Sequence, residues 1–421
     1  MIQNIRGFRD ILPEDTKLWQ KIEKIASELF KDFGFKEIRI PIIEKSDLFV
    51  RSIGQTTDIV EKEMYTFEDR KGDKLTLRPE ATASIVRSYI QYKMYAVNPI
   101  KKLYTIGPMF RRERPQKGRF RQFYQINAEV FGISSPYIDA QLILMLNEFF
   151  KRLGIRELNA HINSLGCFDC RPVFQKVLKK FLGSKKDMLC SNCKTRMQEN
   201  PLRTLDCKAL SCKKALYDAP SILNLLCDEC SNHFNTVKET LDKQNINYIV
   251  DKNLVRGLDY YSRTAFEIHT NLLGAQSAVA GGGRYDALIK ELGGPEIPAI
   301  GFAIGFDRLA EILAEMGALG QTTKIQGPDI FIISIGKKSL ETGYFLSVEL
   351  NLQKIKTEIN FDKKSLKSLM KKADKLNATY VLIIGHKNLE TNGFILRNMN
   401  TKEQITISRE NTVKEILEHL K

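Results

Sequence analysis

Apolar residues recur at helical spacing at Leu18, Ile22, Ile25, Leu29 and Phe33, and Gly34 supplies a stop. An amphipathic helix of about four turns therefore follows the opening GFRDILPED. FKEIRIPIIEKSDLF then reads as a strand that lies at an edge or ends at Pro41, which has no N–H for a ladder. Residues 47–73 are polar and turn-rich and predict loops with one short strand near Met64 to Glu68. LTLRPEATASIVRSYI places a strand into Arg78 and Pro79 and a helix out of Ala81. Glu80 and Thr82 fall at that junction, where they suit either a bound ammonium and a hydroxyl contact or a plain helix-capping pair.

Two longer strands, 103–110 and 123–131, flank a loop. Side chains repeat every second residue along a strand, so Gln125, Asn127 and Glu129 share one face, which is either solvent-exposed or the floor of a polar pocket. Residues 137–153 predict a second amphipathic helix packed on a sheet, and 233–245 a third. The next segment begins as a strand, turns at 256–259 and resumes with Phe266 and Ile268 alternating. AVAGGGRYDALIKELGG predicts strand, glycine turn and helix. GFAIGFDRLAEILAEM predicts a strand into a helix from about Asp307, with Leu309, Ile312 and Leu313 on its apolar face. GALGQTTKIQGP is a linker by composition. Beyond it four strands alternate with helices at 338–352, 363–376 and 411–420, which is an independent α/β domain over 328–421. On its middle helix Leu366, Leu369, Met370 and Ala373 are expected to face the core, with six lysines outside.

Composition narrows the class. A chain of 421 residues with 43% hydrophobic and 27% charged content is a soluble globular protein of two or three domains. A net charge of +15 points to an anionic partner, nucleic acid before membrane, because no uninterrupted apolar span is long enough to cross a bilayer. MIQNIRGFRD has no apolar signal core, so a cytoplasmic location is expected, where the eight cysteines stay reduced. All eight lie within residues 167–230, as Cys167/Cys170, Cys190/Cys193, Cys207/Cys212 and Cys227/Cys230. Two tetrahedral zinc sites, or one site with spare thiols, fit this spacing; free thiols in a small insertion fit it equally well. His233 follows the last pair closely enough to replace a thiolate, although a histidine at a helix start with no such role is the commoner case.

The loop between the two long strands carries Arg111, Arg112, Arg114, Lys117, Arg119 and Arg121 against one acid, Glu113. Six cations in eleven residues repel one another, and phosphate oxygens held over the hairpin would offset that repulsion. Arg308 is a second cation in a costly position. It falls in the first turn of its helix, at the positive end of the dipole, which suggests a phosphate partner.

FRRERPQKGRFRQFYQ followed by NAEVFG, RGLDYYSRTAFEI at 256–268 and GFAIGFDRL at 301–309 resemble, in order, motifs of the class II aminoacyl-tRNA synthetases and among them the histidyl-tRNA synthetases. The likeness covers nearly the whole chain. It implies an α+β fold: a class II antiparallel-sheet catalytic domain over 1–320, a Cys-rich helical insertion at 167–240, and a C-terminal α/β anticodon-binding domain. It also implies that histidine is activated with ATP and Mg2+ and transferred to tRNA(His) by a homodimer whose interface uses the segment around Pro41. The resemblance makes Arg111 and Arg256 catalytic. It gives histidine to Glu80, Thr82, Gln125, Glu129, Arg256, Tyr260, Tyr261 and Tyr285, ATP to Arg111 and Arg308, and tRNA to Arg114, Lys117 and Arg119. The glycine-acid pair expected near 385 is replaced by Gly385 and His386. Two rivals share parts of this pattern. A non-catalytic regulatory subunit of a histidine-biosynthetic phosphoribosyltransferase should lack the C-terminal domain or some pocket arginines. A zinc-stabilised RNA-binding protein gives no reason for Arg256, Tyr261 and Arg308 to stand in their motifs.

Overall fold

The computed structural model describes every residue except 55–56, 117, 271, 273–277, 318–326, 386–392 and 421. The chain forms two compact units, Met1–Ala318 and Leu319–Lys421. Lys117, His386 and most of the linker lie outside the described residues.

The first helix, α1 (Pro13–Asp32), starts a turn and a half before the apolar period, with Pro13 at its first position and Glu14 and Asp15 in the first turn, where the dipole favours acids. Its buried face is Leu18, Trp19, Ile22, Ala26, Leu29 and Phe30, and full burial of a side chain such as Leu29 contributes roughly 1.5–3 kcal/mol. The expected single strand around Pro41 is two short ones. β1 (Lys36–Glu37) and β2 (Ile43–Lys45) belong to different sheets, because the chain cannot continue a ladder through Pro41. A helix, α2 (Ser46–Ile53), follows where loops were expected; its buried residues include Phe49 and Ile53, which the polar surroundings obscured. A π-helical turn at Ile59–Glu63 leads into β3 (Tyr65–Glu68), and β2, β4 (Lys74–Leu77) and β3 form a small antiparallel sheet.

After α3 (Thr82–Gln91) the hairpin appears as expected, β5 (Lys101–Phe110) and β6 (Gln122–Phe131) pairing antiparallel from Lys101 with Phe131 to Phe110 with Gln122. They enter an eight-stranded sheet with β7 (Leu158–Ser164), β8 (Tyr248–Val250), β9 (Ser262–Thr270), β10 (Ala278–Arg284) and β11 (Ala299–Gly305), in the order β1-β5-β6-β11-β10-β9-β7-β8. Only the two edge pairings, β1 with β5 and β7 with β8, are parallel. The triple glycine is no turn. Gly281, Gly282 and Gly283 lie inside β10, paired to β11 on one side and β9 on the other. Helix α4 (Pro136–Arg152) is amphipathic and packs on this sheet. His233 is not among the thiolates: it is buried, with Nε2 2.8 Å from Oδ2 of Asp139 on α4, and Asp139 also receives Arg284.

Between β7 and β8 runs the Cys-rich segment, with α5 (Cys170–Ser184), α6 (Ser191–Glu199), α7 (Leu210–Ala215) and α8 (Asp228–Lys243). It has its own apolar core, in which Phe174, Leu178, Leu182, Met197 and Ile222 are buried. After β10 come α9 (Leu288–Glu291), shorter than expected, and, beyond β11, α10 (Phe306–Glu315) with Leu309, Ile312 and Leu313 buried.

The second unit is a five-stranded sheet ordered β13-β12-β14-β15-β16. Its strands are β12 (Ile330–Ser334), β13 (Thr357–Ile359), which the pattern missed at three residues, β14 (Tyr380–Ile384), β15 (Gly393–Asn398) and β16 (Gln404–Ser408). β12 is buried at every position because helices cover both faces. Leu346 and Leu350 of α11 (Lys337–Leu352) and Ile416 of α13 (Thr412–Leu420) pack on Ile330 and Ile332; Leu369 and Ala373 of α12 (Leu366–Lys375) pack on Phe331 and Ile333. Leu366 is exposed instead, since α12 starts there, capped by the Ser365 hydroxyl, and its first turn overhangs the core.

Candidate active site

The hairpin, the turn after β8 and the start of α10 converge on one cavity of about 390 Å³, lined by Arg111, Arg119, Gln125, Arg256, Glu267 and Arg308 among others. The arginines come from three separate motifs, and the sheet order explains how they meet. β6 pairs with β11 and β11 with β10, so the ends of these strands open onto the same face. Arg111 follows the last residue of β5; its Nε donates to Pro79 O at 3.0 Å, and its guanidinium lies 5.3 Å from the Phe123 ring centre. Arg308 donates from Nη1 to Ala278 O at 2.6 Å. Burial, and next the like charge of Arg119, push its pKa down, which is the electrostatic signature of a group that an anion would relieve. Arg256 is paired with Glu267 and lies over Tyr261, 5.4 Å from the ring centre. Burial opposes its charge, but Tyr261 and Glu267 outweigh that and leave its pKa raised. The buried Gln125 Oε1 and Arg256 Nε have no hydrogen-bond partner among the described residues. A buried polar atom left unpaired costs about 1–3 kcal/mol, so both atoms are suited to a ligand.

Next to this cavity six of the eight residues expected at histidine, Glu80, Thr82, Glu129, Tyr260, Tyr261 and Tyr285, form one closed cluster, whereas Gln125 and Arg256 line the cavity itself. Tyr260, Tyr261 and Tyr285 are buried with ring centres 4.6 to 6.4 Å apart. Glu129, fully buried, accepts hydrogen bonds from the hydroxyls of Thr82 at 2.6 Å and of Tyr285. Its room comes from across the ladder, because a Cβ on Gly301 would sit 1.6 Å from Glu129 Oε2. Glu80 accepts from the backbone N–H groups of Thr82 and Ala83 at 2.7 and 2.8 Å, so it caps α3 while Thr82 turns its hydroxyl to Glu129. The capping reading of Glu80 is the one the geometry shows, while the Thr82 hydroxyl is spent on Glu129. Arg114 and Arg119 are exposed on the hairpin loop, and Arg119 is held 3.3 Å from Glu113 as well as reaching the cavity.

Burial pushes the Glu129 carboxyl up to about 8. In the unfolded chain a glutamate titrates near ~4.3. Between those pH values the folded state keeps a proton that the unfolded state has lost. This group's stabilisation is therefore full below about pH 4 and is lost as pH rises toward 8, by on the order of 5 kcal/mol in all. Glu129→Gln removes the titration, so its unliganded melting temperature should rise relative to the parent between pH 5 and pH 9. A difference that stays constant across that range would contradict the assignment.

Sequence reasoning passed over Glu63, Glu113 and Glu267, all of which line the cavity. Glu267 was legible in retrospect: along β9 it alternates with Phe266 and Ile268 and so faces away from the core. Carboxylates placed among arginines are the ligand type that Mg2+ takes together with substrate phosphates.

The eight cysteines are free and fall into two sets of four. Cys167, Cys170, Cys227 and Cys230 make one, and Cys190, Cys193, Cys207 and Cys212 the other, with the sulfur atoms of each set within 4.8 Å of one another. The first and last pairs thus enclose the middle two, which spacing alone left open. Sγ separations of 3.6 Å for Cys167–Cys170, 4.0 Å for Cys167–Cys227 and 3.9 Å for Cys190–Cys207 match the ~3.8 Å edge of a tetrahedron with metal–sulfur bonds of about 2.3 Å. Backbone N–H groups aim at the sulfurs, Cys227 N at Cys170 Sγ (3.1 Å) and Cys190 N at Cys212 Sγ (3.2 Å). The donor sets fit a divalent metal.

An antiparallel sheet with arginines on the hairpin loop and in the first turn of the helix after its last strand is the catalytic fold of a class II aminoacyl-tRNA synthetase. The chain belongs to the histidyl-tRNA synthetase family: the family model described as histidyl-tRNA synthetase matches residues 7–309, and the one described as anticodon binding domain matches 329–419. The chain is 65% identical over 420 residues to a histidine–tRNA ligase of Desulforapulum autotrophicum, covering 100% of this chain and 98% of that one. It is 53% identical over 404 residues to that of Desulfosudis oleivorans, covering 96% and 95%. The crystal structure of apo S. aureus histidyl-tRNA synthetase aligns with a TM-score of 0.81 at 36% identity, over 99% of this chain and 100% of that one. The fold class and family expected from the motifs are borne out. Among the described residues no helix is long and apolar enough to cross a membrane.

Proposed function

We propose that the chain is a histidine–tRNA ligase, which activates L-histidine with ATP and transfers it to the 3′ end of tRNA(His). The observation that carries this reading is the meeting of Arg111, Arg256 and Arg308 in one cavity beside the buried acid Glu129. The histidine carboxylate attacks the α-phosphate in line and pyrophosphate leaves. The acyl group then passes from AMP to a terminal ribose hydroxyl of the tRNA. Charge develops on the phosphate oxygens, and little covalent work falls to the protein, so fixed cations and alignment supply the rate. Arg111 and Arg256 flank the α-phosphate and Arg308 holds the distal phosphates. Mg2+ arriving with the nucleotide would be held by Glu113 and Glu267, adding charge neutralisation.

Glu129 and Tyr261 take the imidazole. Glu80, Thr82, Gln125, Tyr260 and Tyr285 take the amino end or support those that do. A site built to hydrogen-bond a polar side chain rejects analogues lacking it by as much as ~10⁴. Arg114, Lys117 and Arg119 on the hairpin loop meet the tRNA acceptor end, and the C-terminal domain, with 16 basic against 11 acidic residues over 328–421, meets the anticodon. The enzyme works as a cytoplasmic homodimer, for which the edge strand β1 and the exposed Ile42 and Ile43 after it offer a surface. Zinc is the metal that suits two closed tetrathiolate sets, and with all four positions filled by protein its role is structural.

The test is exchange of labelled pyrophosphate into ATP with each of the twenty amino acids. Histidine alone should support exchange; exchange with another amino acid, or with none, would remove this reading.

A further inference from the structure

The insertion grips the segment 256–261 from two sides, and each grip is adjacent to a thiol set. On the first side, Arg171 follows Cys170 directly. It is largely buried and donates from its Nη1 to Asp259 O at 3.4 Å and from its Nη2 to Tyr261 O. The backbone beside the same thiols is stitched to the exit of that segment. Leu165 N donates to Arg263 O at 2.6 Å and Arg263 N to Gly166 O at 2.9 Å. Arg263 also donates to Glu229 at 2.6 Å, and Glu229 stands between Cys227 and Cys230. Gly166 allows this approach, because a Cβ there would meet Cys170 Cβ at 2.6 Å. On the second side, Asn200 and Arg203, just beyond α6 and its Cys193, donate to the Asp259 carboxylate at 3.0 and 3.1 Å.

We propose that the metal held by Cys167, Cys170, Cys227 and Cys230 is a positioning element for histidine: it fixes Arg171, and Arg171 fixes the carbonyls of Asp259 and Tyr261, so that Tyr261 is presented to the substrate. The inference rests on the histidine site and the zinc assignment given above. It accounts for a buried arginine spent on two backbone carbonyls, which the reaction itself does not use. Because the nucleotide contacts at Arg111 and Arg308 come from other elements and Arg256 keeps its pairing with Glu267 on β9, losing the clamp should weaken histidine binding and spare ATP.

The experiment is metal analysis combined with calorimetric titration of histidine and of ATP on the full chain. The parent protein should carry two zinc ions. Arg171→Ala should keep both and raise the Kd for histidine roughly tenfold, the lower end of what loss of an outer-shell partner costs, with the Kd for ATP within about twofold. Arg171→Lys should recover part of that loss. Cys227→Ser should carry one zinc and show the same selective loss; if it fails to fold, the two Arg171 variants decide. Unchanged histidine affinity in Arg171→Ala with two zinc ions present overturns the clamp and leaves both earlier readings standing. Equal weakening of histidine and ATP overturns it too. A parent protein without zinc removes the metal from the proposal, whereas a parent that binds no histidine removes the functional reading beneath it.

Discussion

Arg256→Ala should lower the kcat of histidine-dependent pyrophosphate exchange by about 10²–10³-fold, the range seen when one fixed donor to a developing charge is removed. The arginine is bound between Glu267 and the face of Tyr261, and its Nε has no partner among the described residues. A cation held in this way loses nothing to reorganisation when a phosphate arrives, so its contribution should be expressed in kcat more than in KM. The fold should survive. Glu267 keeps His269 at 3.0 Å, and its side chain retains 22% of its exposure, so it can be rehydrated. The melting temperature is expected to fall by only a few degrees, since about 1 kcal/mol shifts a domain of this size by roughly 2–4 °C. Exchange within threefold of the parent would deny Arg256 a catalytic role. A raised KM for ATP at unchanged kcat would make it a binding group only.

The elements that could be read from the chain are those whose pattern is local. The hairpin strands announce themselves by alternation, α10 by its apolar face, and the C-terminal strands by continuous apolar runs between turns. What escaped depends on partners far away in sequence. Ser46–Ile53 looks polar because two of its four buried residues are serines, Ser46 and Ser52. Glu63 and Glu267 become site residues only when the sheet brings their segments to the arginines. The nested pairing of the cysteines is likewise a property of the folded insertion. Resemblance supplied most of the candidate site residues, but not the state in which they are found: the cluster proposed for histidine is closed, with Glu129 satisfied by Thr82 and Tyr285.

The glycines of β10 show the same limit, and they make the second large prediction. Read locally, three glycines in a row suggest a turn; in the sheet they are a strand kept bare so that other groups can lie on it. A Cβ on Gly281 would meet the Arg256 guanidinium at 2.6 to 2.9 Å, whereas one on Gly282 would stand 2.2 Å from Gly301 O and 2.7 Å from Phe302 Cβ. Adjacent positions should therefore fail differently. Gly281→Ala displaces the tip of a long side chain, which can swing aside, so the variant should fold with a melting temperature near the parent's while exchange falls by about 10²-fold, the cost of a misplacement near 1 Å. Gly282→Ala pushes on the backbone of β11 in the middle of the sheet. Relief there requires strands to separate, and overpacking of a tight core costs about 1–3 kcal/mol or more. That variant should lose many degrees of thermal stability or accumulate in the insoluble fraction, with lost activity following lost fold. Circular dichroism melts and exchange rates measured on both proteins check the contrast: an unstable Gly281→Ala, or a stable and active Gly282→Ala, would mean that the glycine strip does not carry the arginine as described.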